Sequence, residues 1–301
     1  MKSAWLEKLE QLERLAHAGR WRRWWQQPWR YSQAMYWLKW TYPRTGHTQL
    51  RSVYTFFDTE LQLRLPAGMD IYLLGGKTHD SEIRLARFII QQLKAGDTLI
   101  DVGAHFGFFT LLAAKIVGEK GRVIAFEAAP STFQILEQNT APFSQIHIEQ
   151  KAISDTNEQL TFYEFPTLYS EYNSLATTAF DDTDWKQQAQ HIKVEAITLS
   201  DYISRHSLRP NLIKIDVEGA ERKVIQGLRD FLERSAYTLV VEVTQLHLET
   251  HLAMENDLRE MGYLPFKITA EGRLESISGI RPLLGQQSID SDNVVFQKVM
   301  T

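Results

Sequence analysis

The sequence predicts an α/β protein built on a doubly wound sheet of seven mostly parallel strands, preceded by a helical N-terminal extension. Three observations predict it. Thr98-Leu99-Ile100-Asp101-Val102-Gly103-Ala104-His105-Phe106-Gly107-Phe108-Phe109-Thr110 runs from an apolar strand through a glycine turn into an apolar helix. Such a strand–loop–helix unit is where open α/β sheets bind nucleotide-like ligands. The next apolar run, Arg122-Val123-Ile124-Ala125-Phe126-Glu127, ends in a carboxylate 24 residues after Gly103. Beyond it, strand and helix patterns alternate as a doubly wound sheet requires.

In chain order, Ser3 is expected to cap a helix through Ala18, with Trp5, Leu9, Leu12, Leu15 and Ala16 on one face and Gly19 as the stop. Trp21-Arg22-Arg23-Trp24-Trp25-Gln26-Gln27-Pro28-Trp29-Arg30 and Tyr36-Trp37-Leu38-Lys39-Trp40 follow, so seven of the eight tryptophans precede residue 41. Two short strands are expected over 61–65 and 69–74, joined through Pro66, Ala67 and Gly68. Thr78 starts a helix with Ile83, Leu85, Ala86, Phe88, Ile89, Ile90 and Leu93 on its apolar face, and Gly96-Asp97 lead into the first core strand. Core strands are expected at 98–102, 122–127, 146–150, 211–216, 237–243, 263–268 and 293–298, with helices at 107–117, 131–140, 219–231 and 250–261. Extra strands at 160–165 and 192–197 bracket a polar loop from Thr167 to Gln190, an insertion suited to shaping an acceptor pocket. The chain thus divides into a basic, tryptophan-rich extension, 1–50, and one ligand-binding domain, 51–301.

The net charge of −4 hides an asymmetry, because residues 1–51 carry +7 and the remainder −11. An acidic body argues against nucleic acid as a partner, since phosphate binding relies on clustered cations. With no cysteine in its 301 residues, the chain has no disulfide, thiolate metal site or cysteine nucleophile, which fits a cytoplasmic enzyme. No apolar run approaches the ~20 residues of a membrane span, and the start lacks the apolar core of a signal peptide. Tryptophan beside arginine suits a water–lipid interface, so residues 1–45 are expected to make peripheral membrane contact. The same pairing suits stacking on sugar faces. It equally suits a helical hairpin packed on the body or on a second copy in a homo-oligomer.

The glycine loop reads D-x-G-x-x-x-G, and His105 stands where a pyrophosphate cradle needs its second glycine. The expected ligand is therefore a nucleoside without phosphates, S-adenosyl-L-methionine. Asp101, Gly103, Ala104, His105, Gly107 and Thr110 would form its turn. Glu127, followed by Ala128, would accept from the ribose hydroxyls. Asp155, after Ala152-Ile153-Ser154, would face the adenine amino group, and Asp216 would also border the cofactor. In Leu212-Ile213-Lys214-Ile215-Asp216-Val217-Glu218, strand alternation sends Lys214 and Asp216 to one side. Lys214 would hold the carboxylate charges in place. Methyl transfer from a sulfonium is an in-line displacement, and a hydroxyl acceptor needs a general base. Asp216 is the first candidate, with Glu218, Glu242 and His247 behind it. No HExxH, CxxC or DxDxDG signature is present, and no metal is assigned.

These residues resemble the FkbM family of S-adenosylmethionine-dependent methyltransferases over roughly residues 80 to 297. The likeness rests on residues 99–110, Val123-Ile124-Ala125-Phe126-Glu127, Lys151-Ala152-Ile153-Ser154-Asp155, Thr198-Leu199-Ser200-Asp201-Tyr202-Ile203 and Ile213-Lys214-Ile215-Asp216-Val217-Glu218-Gly219-Ala220-Glu221. Asn173-Ser174-Leu175 and Asp292-Asn293-Val294-Val295-Phe296 also look like family segments. The resemblance implies the Rossmann-like class I methyltransferase fold and O-methylation of hydroxyls on sugars, glycolipids or polyketide-type metabolites. Two departures stand out: His105 replaces the usual Asn, and Ala128 replaces a usual Pro. The competing readings are a non-catalytic methyltransferase-like protein that binds or tethers to membranes, and a nicotinamide-dependent dehydrogenase, which His105 disfavours.

Overall fold

The structure, a computed structural model, describes residues 1–164, 190–285 and 290–298. The chain opens with helices α1 (Lys2–Ala16), α2 (Arg20–Gln26) and α3 (Pro28–Tyr36), a π-turn at Trp37–Thr41, and the short α4 (Tyr42–Thr45). Ser3 lies inside α1 and does not cap it, because the first turn closes one step earlier, Trp5 N donating to Met1 O at 3.2 Å. Nor does Gly19 stop this helix. Its extended backbone instead begins α2, with Gly19 O accepting from Arg22 N and Arg23 N.

A hairpin follows, β1 (Gln49–Tyr54) with β2 (Glu60–Leu65), antiparallel. The strand expected at 69–74 is helix α5 (Met69–Leu74). Asp70 in its first turn suits the positive helix end, and Gly75 in the left-handed region ends it. The true partner of β2 was hidden because β1 exposes most of its side chains and so shows no apolar alternation.

Next come α6 (Asp80–Gln92), β3 (Thr98–Val102), α7 (Phe108–Val117), β4 (Arg122–Phe126), α8 (Pro130–Thr140) and β5 (Ile146–Glu149). Helix α7 is apolar on all sides, as a helix wedged between sheet and outer layer must be. Strands β6 (Ala152–Ser154), β7 (Glu158–Glu164) and β8 (Gln190–Thr198) form a separate sheet, ordered β6-β8-β7. The polar loop expected between these strands lies outside the described residues up to residue 189, as does Asn173-Ser174-Leu175.

The chain continues through α9 (Leu199–Arg205), β9 (Leu212–Ile215), α10 (Glu221–Arg234), β10 (Thr238–Thr244), α11 (Leu248–Glu260), β11 (Tyr263–Ile268), β12 (Leu274–Ser276), α12 (Ile280–Leu284) and β13 (Ser291–Lys298). The main sheet is ordered β12-β11-β13-β10-β9-β3-β4-β5. The five strands from β10 to β5 are parallel, and β13 is antiparallel to both its neighbours. The sheet has eight strands where seven were expected. The extra one, β12, is a three-residue edge strand too short to leave a sequence pattern.

Two apolar layers flank the sheet. Helices α6 and α7 build one, together with the hairpin and the buried Trp5, Leu9 and Leu12 of α1. Helices α9 to α12 build the other, where Val224, Ile225, Leu228 and Leu232 of α10 meet the sheet at helical spacing. Chain order reverses between β3 and β9, and a crevice outside that switch point is the ligand position for an open α/β sheet.

Candidate active site

The crevice holds a cavity of ≈ 960 Å³ beyond the ends of β3, β4, β9 and β10. That volume is at the upper end for small-molecule sites, about 300–1,000 Å³, and leaves room for more than one ligand. Its floor is the glycine turn. Gly103 has φ 83, and a Cβ there would stand 1.8 Å from Asp216 O, so only glycine lets the turns after β3 and β9 meet. Gly103 N and Ala104 N both donate to Phe126 O, tying the turn to the end of β4. His105 lies at the crevice wall with φ 50, a left-handed conformation that Asn tolerates better than most residues. Burial, and then Lys77, push its imidazole down to about 3, so it is neutral near neutral pH.

Glu127 extends this cradle from the end of β4 and is buried. Its Oε2 accepts from His105 N at 2.8 Å and its Oε1 from Ala129 N at 2.9 Å. These bonds fix the carboxylate in one orientation at the end of β4. Ala128, Ile153 and Phe162 line the cavity beside it as an apolar slot. A carboxylate beside an apolar recess suits a nucleoside. Asp155 does not line the cavity. β6 ends at Ser154, and Asp155 lies exposed, accepting from Ser154 Oγ at 2.9 Å.

Below the crevice is a buried charge relay. Thr110 Oγ1 donates to Asp101 Oδ2 at 2.6 Å, and Asp101 Oδ1 faces Lys214 Nζ at 3.3 Å. Lys214 also reaches Asp216 Oδ2 at 3.1 Å, with its ammonium 5.5 Å from the centre of the Phe109 ring. Burial opposes the charge on Lys214, but Asp216 and Asp101 outweigh it and hold the group above its ordinary value. Asp216 would be pushed up by burial, yet Lys214 and a hydrogen bond with Glu242 carry it below the usual carboxylate range. Glu242 moves the other way. Burial, then Asp216 and Glu218, hold it well above its ordinary value. Asp101, Thr110, Ala104 and Gly107 support the cradle from below and are not among the cavity-lining residues.

Asp216, Glu218 and Glu242 all line the cavity, and one oxygen from each falls within 4.8 Å of the others, a spacing that can also hold a divalent cation. Glu218 has φ 51 and sits in a tight turn capped by Glu221, whose carboxylate accepts from Val217 N and Gly219 N. His251 braces Glu221. Its Nδ1 lies 3.1 Å from Thr244 N and its Nε2 lies 3.1 Å from Glu221 Oε2, so the ring bridges the two turns. The turns after β9 and β10 are thereby locked together. His247 lies behind this turn, buried and outside the cavity lining, with its ring 6.1 Å from that of His251.

Several cavity residues escaped the sequence reading. Asp70, Lys77, His79 and Glu82 form the wall opposite Asp216, with Lys77 paired to Glu82 at 2.8 Å, and Thr244, Gln245 and Asp290 complete it. They come from loops and helix starts that only the tertiary fold brings together.

The model of the "Methyltransferase FkbM domain" matches residues 101–265, which include the whole cradle and the acidic turn. The chain belongs to the FkbM methyltransferase family. Among curated relatives, Methyltransferase 1 of Beauveria bassiana is 32% identical over 146 residues, 44% of this chain and 58% of that protein. The 31-O-demethyl-FK506 methyltransferase FkbM of Streptomyces tacrolimicus is 30% identical over 162 residues, 46% of this chain and 62% of that protein. Hexuronic acid methyltransferase AglP of Haloferax volcanii is 25% identical over 180 residues, 56% of this chain and 69% of that protein. The chain thus spans about three-fifths of the length of the first two of these relatives. The family's cofactor is S-adenosylmethionine, and the cradle of Gly103, His105, Glu127 and Ala128 suits its nucleoside.

Proposed function

We propose that this chain transfers a methyl group from S-adenosylmethionine to a hydroxyl of a sugar, glycan or glycolipid-type acceptor. One observation carries the reading. The nucleoside cradle and the Asp216–Glu242 carboxyl pair face the same cavity, so the methyl donor and the proton acceptor are neighbours. The cofactor supplies a methyl on a cationic sulfur; an O–CH3 bond forms as the S–CH3 bond breaks, releasing S-adenosylhomocysteine. The chain's own task is to align the hydroxyl and take its proton. Asp216, ionised beside Lys214 and linked to Glu242, accepts that proton, and the pair titrates as a unit.

The far wall supports an acceptor without phosphate next to the reacting hydroxyl. Asp70, Glu82, Glu218, Glu242 and Asp290 line the cavity against two lysines, Lys77 and Lys151, and an anion brought there meets more like charge than opposite. The names of two relatives, one a 31-O-demethyl-FK506 methyltransferase and one a hexuronic acid methyltransferase, support a hydroxyl or a saccharide acceptor. The basic head adds peripheral membrane contact through residues 1–45 to this reading.

The test is in two parts. S-adenosylhomocysteine is expected to raise the melting temperature of the intact chain, and Asp216→Asn is expected to keep that shift. The same variant is expected to lose transfer of labelled methyl to glycan acceptors, read by mass spectrometry. No shift at saturating ligand rejects the cofactor, and normal turnover in Asp216→Asn rejects its role as base.

A further inference from the structure

Four tryptophans of the head are exposed to an unusual degree: Trp21 at 79%, Trp25 at 73%, Trp29 at 82% and Trp40 at 55%. Folding normally hides side chains of this size, and a set left outside marks an interaction surface. These rings are held in place. Trp21 and Trp25 both pack edge-on against Trp24, whose Nε1 donates to Ser32 Oγ at 2.8 Å and joins α2 to α3. Exposed Arg22, Lys39 and Arg44 lie among them, Arg44 with its guanidinium 5.1 Å over the Trp40 ring.

Charge identifies the partner. Between Glu13 and Asp58 the sequence contains eight Lys+Arg and no carboxylate, while the rest of the molecule is acidic. A face this cationic repels a second copy of itself across a symmetric interface. Against an anionic bilayer the same face is attracted and the acidic body is pushed away, which sets one orientation. Exposed tryptophan supplies the apolar anchor at headgroup depth, and arginine the electrostatic one.

We propose that Trp21, Trp25, Trp29 and Trp40, with the arginines between them, dock the protein on an anionic lipid surface and so present the cavity to membrane-borne acceptors. The second half follows from how the head is seated. Helix α3 packs on α5, with the Arg30 guanidinium 4.2 Å over the Tyr72 ring. Helix α5 carries Met69 and Asp70 into the cavity wall. The docking face and the acceptor wall are therefore two sides of one small unit. The acceptor half of the proposal rests on the methyltransferase reading; the docking half does not.

The experiment uses the full chain with vesicles of phosphatidylcholine alone or mixed with phosphatidylglycerol. Co-sedimentation with the anionic vesicles only, a blue shift of tryptophan emission on binding, and release by salt are expected. The triple variant Trp21→Ala, Trp25→Ala, Trp29→Ala is expected to partition at least about tenfold more weakly. Arg22→Glu with Arg44→Glu is expected to abolish the preference for anionic vesicles. Both variants should keep the S-adenosylhomocysteine melting shift, which shows that they fold. Equal binding by wild type and the triple variant, or no binding to anionic vesicles, overturns the docking. So does a concentration-dependent oligomer that the same substitutions dissolve. A melting shift without vesicle binding rejects only the docking, and vesicle binding without a melting shift rejects only the methyltransferase reading.

Discussion

Lys214 Nζ and Asp216 Oδ2 lie 3.1 Å apart at the end of β9, with the lysine almost fully buried and the aspartate open to the cavity. The buried ammonium is thus a fixed counter-charge for the carboxylate at which an acceptor proton would arrive. It simultaneously pairs with Asp101, so one cation serves both the glycine turn and the cavity face.

Removing that cation should be costly. Lys214→Met leaves two carboxylates facing each other without compensation and is expected to lose about 3–5 kcal/mol of stability. Adding Asp101→Asn should recover part of the loss. Denaturant unfolding of the single and double variants checks this, and an undiminished single variant would show that the triad does not hold the site.

Glu127 makes a second prediction. Glu127→Gln replaces one acceptor oxygen with an NH2 that must oppose either His105 N or Ala129 N, both of which donate now. Affinity for S-adenosylhomocysteine is expected to fall about 10–100-fold, the size of one charged hydrogen-bond partner lost. Calorimetric titration measures it, with circular dichroism to confirm the fold.

The imidazole of His105 gives a pH dependence. Its folded-state value is depressed to about 3, by burial first. The unfolded chain binds a proton near pH 6.5, about its ordinary value, while the folded one does not, so stability falls as pH drops below about 6.5. His105→Asn removes the titration and suits the left-handed backbone at φ 50 better. Between about pH 7 and about pH 5 the variant should lose less melting temperature than the wild type. Parallel pH curves would refute the assignment.

His251 braces Glu221 from the end of β10 at Thr244 and does not line the cavity, so its removal should separate positioning from binding. His251→Ala frees the cap on the Asp216–Gly219 turn, and a misplacement of about 1 Å there can cost roughly a hundredfold in rate. Methyl transfer is expected to fall by at least about tenfold while the S-adenosylhomocysteine melting shift persists. Equal loss of both would mean that the turn also shapes the cofactor cradle.

Much of this site is legible in the sequence because strand ends in a parallel sheet are forced into one crevice. Gly103, Glu127, Asp216 and Glu242 each close an apolar run, and those runs set the register that places them around the cavity. Met69–Leu74 misleads because so short a run, apolar except for Asp70, fits either period, and the left-handed Gly75 ends it as a helix. Asp155 misleads because β6 leaves the main sheet, so its end faces solvent. Lys77, His79 and Glu82 carry no local signal; long-range packing alone sets them opposite Asp216.

Helix α1 contributes Trp5, Leu9 and Leu12 to the same apolar layer as Phe57 and Phe108, and Glu13 pairs with the buried Arg87 at 2.7 Å. Each of those apolar side chains, once stripped of its neighbours, forfeits about 1.5–3 kcal/mol. Truncation before residue 46 would therefore unroof the sheet as well as delete a surface. Head and body are thus expected to melt in a single transition, which calorimetry of the full chain would show as one peak.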